Sequence, residues 1–344
     1  LEPALARHAP RIYLDHAATT PMRPEAMAAV ADGMTRWANP SSPHAEGRAA
    51  RAALEDARRR IAAALDWPHH VILTSGASEA IALAFRGRAD VHMLAVEHDA
   101  VLRAGQGTIV PVGSNGLAGP LPSGSIAIQS ANSETGVLQN AERTPDTLLL
   151  RDCSQTAGKL PLPDADLIVV SAHKLGGPPG IGALLVRDLG LLDPTGGQER
   201  GYRGGTENLP GALGFAAALE APRDWFDAMP ALRKQLDDAI VAAGGEIVAA
   251  GSPRIPTIAA YRMPGVSSAA QLIRFDMAGF AVSAGSACSS GSMRPSHVLG
   301  AMGFTPETAA EIVRVSFGWT TTPDDVARFA EAWTSVARDV KRAA

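Results

Sequence analysis

The 344-residue chain sets 31 Lys and Arg against 35 Asp and Glu, and a net charge of −4 leaves no basic footprint for nucleic acid. At 46% hydrophobic and 19% charged it is too apolar for disorder, and its length predicts two domains, one a dominant α/β body. The apolar runs are too short and broken to span a membrane, no signal-peptide pattern opens the chain, and only two cysteines, Cys153 and Cys288, fit a reducing cytoplasm.

In chain order, "SPHAEGRAARAALEDARRRIAAAL" reads as a helix with an apolar stripe. Six short apolar runs follow: "VILT" (71–74), "VHMLA" (91–95), "SIAIQS" (125–130), "LLL" (148–150), "LIVVS" (167–171) and "GALLV" (182–186). Unbroken apolar runs of this length predict strands buried on both faces of a mostly parallel sheet. "SEAIALAFRG" is a helix between the first two. The stretches 113–124 and 131–147 are loop-like where crossover helices are expected, predicting a sheet thinly covered on one face. From Leu209 to Ala243 the pattern is wholly helical, a long connector. Beyond it, "TIAAY", "FAVSA" and "IVRVSF" mix with two helical stretches, suggesting a smaller α+β domain.

The residues that follow those strands carry the chemistry. "TSGASEA" (74–80) bends at Gly76 and opens a helix with Ser78, a ready anion site, although a plain capped helix reads the same way. His98 follows the second strand, Asn132 the third, Asp152 the fourth, and His173 and Lys174 the fifth. Asp152 alone could cap a turn, and a lone His is more often structural. If the strands are parallel, however, all of these groups share one sheet edge. An anion cradle, a carboxylate, an imidazole and an amine together can hold pyridoxal phosphate, with Lys174 as the aldehyde-bearing lysine. Cys288, set in "SAGSACSSGSMRPS", has no apolar context to bury it, which favours an exposed, mobile loop and a thiolate able to attack a bound substrate. Cys153, beside a strand, reads as inert packing. Arg314, between apolar neighbours in "EIVRVSFG", needs a carboxylate partner, either internal or from a substrate. No set of residues reads as a metal site.

Taken together, "IYLDHAATTP", "TSGASEA", "EHDAV", "ANSETGV", "RDCSQTAGKLP", "SAHKLGGPPGIGALLV", "RGGTEN" and "GSACSSGSMRPSHVL" resemble the NifS-like cysteine desulfurases, in the class V aminotransferase superfamily of fold type I pyridoxal-phosphate enzymes. The resemblance implies a homodimer that converts L-cysteine to L-alanine and passes sulfur to Cys288 as a persulfide, for iron–sulfur cluster assembly or thiolation. It implies Lys174 as the Schiff-base lysine, Asp152 as partner of the pyridinium nitrogen and Gln155 as partner of the ring hydroxyl. His98 would stack on the ring and help move protons. Ala77, Ser78, Ser171 and His173 would hold the phosphate, joined by Thr206 from the other subunit. Asn132 and Arg314 would bind the substrate carboxylate. The implied division is a large cofactor-binding domain over 16–242, and a small domain from 1–15 and 243–344 that carries the cysteine loop. The implied partners are L-cysteine and a sulfur-acceptor or scaffold protein, with a dedicated partner or altered dimer contacts covering the thin face. Departures are Ser78 where Thr is commoner, Ser133 where a second Asn is common, and a chain shortened in the two helix-poor stretches. The alternatives are a selenocysteine lyase or aminotransferase of the same class, separated by dependence on Cys288, or a non-catalytic partner subunit.

Overall fold

The computed structural model describes residues 11–285 and 295–343, the side chains beyond 339 excepted. Strand β1 (Ile12–Tyr13) leads into helices α1 (Pro24–Thr35) and α2 (Ala45–Ala64). The His44 ring accepts from the Gly47 amide and so caps α2, whose buried stripe runs through Ala50, Leu54, Ala57 and Ile61. Then come β2 (His70–Thr74), α3 (Ala77–Phe85), β3 (Val91–Leu94), α4 (Asp99–Ala104), β4 (Ile109–Val110), β5 (Gly124–Gln129), β6 (Thr147–Asp152), β7 (Leu167–Ser171) and β8 (Gly182–Val186).

The strands after α2, none longer than six residues, build one seven-stranded sheet in the order β2-β8-β7-β6-β5-β3-β4. All neighbours are parallel except at β8, which runs antiparallel to both β2 and β7. The expected strands are therefore present, and the expected mostly parallel α/β sheet with them. Leu167, Ile168, Val169 and Val170 are all fully buried, the signature of a strand covered on both sides. No helix joins β4 to β5 or β5 to β6. Val112, Ala118 and Leu121 from the first of these coils pack against the core cluster that α2 and α5 also line.

The helical stretch after residue 208 is not continuous. Helix α5 (Leu209–Glu220) ends where Ala221 takes an extended ψ of 150° ahead of Pro222, which disfavours helix in the residue before it. A short 3-10 turn over Asp224–Ala228 then leads into α6 (Met229–Ala242).

The remaining elements are β9 (Glu246–Ile247), β10 (Ile258–Arg262), α7 (Ser268–Met277), β11 (Phe280–Ala281), α8 (His297–Ala301), α9 (Pro306–Ala309), β12 (Ile312–Ser316) and α10 (Pro323–Ala343). β12, β10 and β9 form a second, antiparallel sheet, and β11 pairs with β1. Phe275, Phe329 and Trp333 pack against one another beneath this sheet, with ring centroids 5.0 to 6.4 Å apart. The N-terminal segment thus begins on the second sheet, where the Leu14 amide donates to Ala281 and the Leu14 carbonyl accepts from the Ser316 amide. It then crosses to the first, where the Thr20 amide donates to the carbonyl of His173. That crossing, residues 16–20, is what the site is built against.

Candidate active site

β2, β3, β5, β6 and β7 all point their carboxyl ends the same way, and β8 starts at that edge, with Gly182 opposite both Thr74 and Ser171. A cavity of about 390 Å³ opens there, lined by Ala77, Ser78, His98, Asp152, Gln155, Ser171, His173 and Lys174. Eight of the residues singled out from sequence are therefore gathered by strand direction alone, as expected where ligands bind outside the carboxyl ends of an open α/β sheet.

The head of α3 forms one wall. Gly76, at φ 149° with open space where a Cβ would stand, caps the helix without any side-chain hydrogen bond. The first amides of α3 accordingly face the cavity uncapped, beside the Ser78 hydroxyl, in the arrangement that binds anions. Glu79 holds the turn from behind, accepting from the Ser75 amide and from Arg203 Nε.

Asp152 ends β6, pairs across from Gln129, and is only 8% exposed. One of its oxygens accepts from the Ser154 amide at 2.9 Å. Gln155 donates through Nε2 to the Ala17 carbonyl at 3.0 Å, while its Oε1 is buried with no protein partner and so is an acceptor awaiting a donor. Lys174 closes the 3-10 turn after β7 and donates from Nζ to the carbonyls of Ala17 and Ala18, at 2.5 and 2.9 Å. His173 Nδ1 lies 3.1 Å from Thr19 Oγ1. Burial first, then the Lys174 charge, lower the pKa of His173 to about 4, so at neutral pH it offers hydrogen bonds and no charge. His98 caps α4, its Nδ1 accepting from the Ala100 amide.

A smaller space of about 100 Å³ adjoins this cavity, sharing Ala18, His98, Ser133 and Lys174 with it and adding Arg314, Glu97 and His297. Arg314 has met the internal alternative: Nη2 donates to Asp15 at 2.7 Å and Nη1 to the Ser133 carbonyl at 3.0 Å. Its Nε is buried without a protein partner and remains available to an acceptor. Glu97 directly precedes His98 in the chain. It is fully buried, and burial, opposed only in part by the Gln129 amide, drives its carboxyl well above the usual carboxylate range.

Three candidates lie elsewhere. The Asn132 side chain is not in the cavity: its Oδ1 accepts from the Glu134 and Thr135 amides and its amide donates to the Val96 carbonyl, so it shapes the turn that presents Ser133. Thr206 is exposed and takes no part in the cavity of its own chain. Cys288 lies outside the described residues. Cys153 is fully buried against Ser130 Oγ at 3.1 Å, and burial raises its thiol to about 11, which makes it inert as read. Among the described residues no cluster of three or more His, Cys, Asp or Glu could hold a metal ion, and no helix is long and apolar enough to cross a membrane.

The donor set fits pyridoxal phosphate: an uncapped helix start with a hydroxyl for the phosphate, a buried carboxylate, an orphaned amide oxygen, and a primary amine, in a space wide enough for an aromatic ring.

Comparison with known proteins agrees with the geometry. The model of the class-V aminotransferases matches residues 12–105 and 123–329. Its break, residues 106–122, takes in β4 and the helix-free coil after it. A cysteine desulfurase of Gluconacetobacter diazotrophicus is 36% identical over 92% of this chain and 91% of its own length. Among solved structures, a NifS-like protein of Rickettsia africae superposes with a TM-score of 0.84 at 27% identity, covering 95% of this chain and 99% of that one. SspA in complex with cysteine gives a TM-score of 0.73 at 28% identity, covering 89% of this chain and 98% of that one.

Proposed function

The chain belongs to the class-V aminotransferase family, and we propose that within it the protein is a pyridoxal-phosphate-dependent cysteine desulfurase. The observation that carries this reading is the meeting of Lys174, Asp152 and the uncapped start of α3 in one cavity. The cysteine desulfurase names of the relatives, and a structural neighbour holding cysteine, support the choice of substrate.

Bound here, the cofactor would supply an electron sink for the substrate's Cα carbanion. The chain's own residues do the rest. Ala77, Ser78, Ser171 and His173 hold the phosphate, and the exposed Thr206 serves the cavity of a second copy in a homodimer. Asp152 keeps the ring nitrogen protonated. Gln155 would orient the ring through its unfilled Oε1. Lys174 would be the amine that carries a proton at Cα, within reach of the carbonyls of Ala17 and Ala18 that hold it now. His98 stands on the wall shared by both spaces, where it can stack and relay protons. The substrate carboxylate goes to Arg314, whose Nε is unfilled and whose other nitrogens are fixed by Asp15 and Ser133. Asn132 acts indirectly, through the turn it ties. Cys288 takes the sulfur as a persulfide and hands it to an acceptor protein in the cytoplasm, for cluster assembly or thiolation.

The test is incubation of the purified protein with L-cysteine and a reductant, with alanine and sulfide assayed together. Equal amounts of both, lost in Cys288→Ser, are expected. Amino-group transfer to a keto acid, or a rate untouched by Cys288→Ser, would instead make it one of its transaminase or lyase relatives.

A further inference from the structure

A narrow crevice beside the Lys174 turn takes no part in these steps. Thr20, Arg23, Lys159, Trp225 and Trp319 line it, and at about 10 Å³ it has room for one small ion. Arg23, which precedes α1, is only 6% exposed, and its backbone amide is fixed to the Gly176 carbonyl at 2.9 Å. A guanidinium carries five N–H donors. Among the described residues that of Arg23 makes no hydrogen bond and no ion pair, and its Nε is buried without a protein partner. Trp319 lies 5.4 Å from its Cζ and donates its own N–H to the Pro21 carbonyl. A ring face attracts a guanidinium but fills none of its N–H bonds. Trp225 adds an indole N–H that is also buried without a protein partner. Lys159 uses one of its three donors on the Gln155 carbonyl at 3.0 Å and joins no ion pair among the described residues. Thr20 Oγ1 already donates to the carbonyls of His16 and Lys174.

The lining side chains therefore bring donors and positive charge, Arg223 among them, and no carboxylate. Glu25 and Asp224, both exposed, act on Arg23 only from beyond ion-pair distance. A buried guanidinium without a counter-charge is costly. Water answers this set poorly, because its own two hydrogens need acceptors. An anion accepts from every donor at once and supplies the missing charge. We propose that the crevice binds a single monatomic anion, with chloride as the ordinary occupant, held by Arg23, Lys159 and the Trp225 N–H. The space is too small for a phosphate or a carboxylate group. The anion ties the start of α1 to the turn after β6 and to the 3-10 turn ahead of α6, three segments that meet beside the Lys174 turn. This site is independent of the cofactor and of the reaction, and it holds whether or not the protein acts on cysteine.

The experiment uses the full-length protein as purified and has two arms. In the first, urea unfolding is followed in sodium chloride and in sodium gluconate of equal ionic strength. A ligand that binds only the folded chain raises the unfolding midpoint as its concentration passes its dissociation constant. The midpoint should rise with chloride and not with gluconate, and Arg23→Gln should abolish the difference. Trp225→Phe keeps the ring and loses only the N–H. It should weaken chloride binding by about tenfold, which keeps the idea testable if Arg23→Gln folds poorly. In the second arm, crystals are soaked in sodium bromide at the concentrations where the chloride effect appears. One anomalous bromide peak within hydrogen-bond reach of Arg23 and Trp225 is expected. A chloride effect of equal size in wild type and both variants would overturn the proposal. So would density for water alone in the crevice, with no anomalous signal. Neither arm reads turnover, so a protein that fails as a desulfurase leaves the result standing on its own.

Discussion

Gly182→Ala is the most informative single change, because it tests the cavity through backbone alone. Gly182 starts β8 between Thr74 and Ser171. A Cβ there would stand 2.6 Å from the Val170 carbonyl oxygen and 2.8 Å from Gly76 Cα. Both neighbours are main chain, so neither can rotate away. Restoring the Gly76 contact from 2.8 Å to the 3.4 Å of ordinary packing displaces the head of α3 by about 0.6 Å. Overpacking of this size costs about 1–3 kcal/mol. It falls on the turn that presents the phosphate amides, so much of it should appear as lost cofactor affinity, about 5- to 100-fold at about 1.4 kcal/mol per tenfold. The assay is titration of the cofactor-free protein with pyridoxal phosphate, read by visible absorbance, beside urea unfolding of the same sample. Gly300→Ala is the control: its Cβ would meet nothing within 4 Å, and it should bind as wild type. Wild-type affinity in Gly182→Ala would refute the placement of the phosphate at the start of α3.

Two further outcomes follow from buried charges. Glu199 is 3% exposed, accepts from Arg58 at 2.5 and 3.0 Å and from the Leu73 amide, and so ties residues 199–203 to the strand that leads into Gly76. Glu199→Gln leaves the Arg58 charge under-compensated and should cost about 3 kcal/mol in urea unfolding, with a loss below about 1 kcal/mol counting against it. His16 is 2% exposed, and burial, with Lys159 second, depresses it to about 3. Since the unfolded chain then takes up the proton first, this contribution is complete above the ordinary 6.5 and is lost as pH falls toward 3. His16→Asn should flatten the acid side of the stability curve by up to about 1.4 kcal/mol per pH unit, and parallel curves for variant and wild type would exclude it.

The sheet edge was legible because strand order there follows from local signals. Apolar runs buried on both sides announce themselves without alternation, and each chemical residue trails its run by two to four positions. What stayed hidden depends on contacts distant in sequence. Nothing near Arg314 in the chain names Asp15 as its partner, 299 residues away. Asn132 follows the third apolar run in the sequence, but only the geometry of the 132–137 turn shows that both ends of its amide are already used. Glu97 looks like an ordinary solvated charge in "VEHDA"; its burial comes with β5, whose Gln129 amide donates to it. The break at Ala221 was legible in Pro222, which a purely helical periodicity overrode.

Borohydride reduction of the purified protein, followed by peptide mapping, tests the central assignment most directly. A pyridoxyl group fixed to Lys174, and absent from Lys174→Ala, is the predicted result. A stable adduct on Lys159 instead, or a protein that carries pyridoxal phosphate equally well without Lys174, would contradict it.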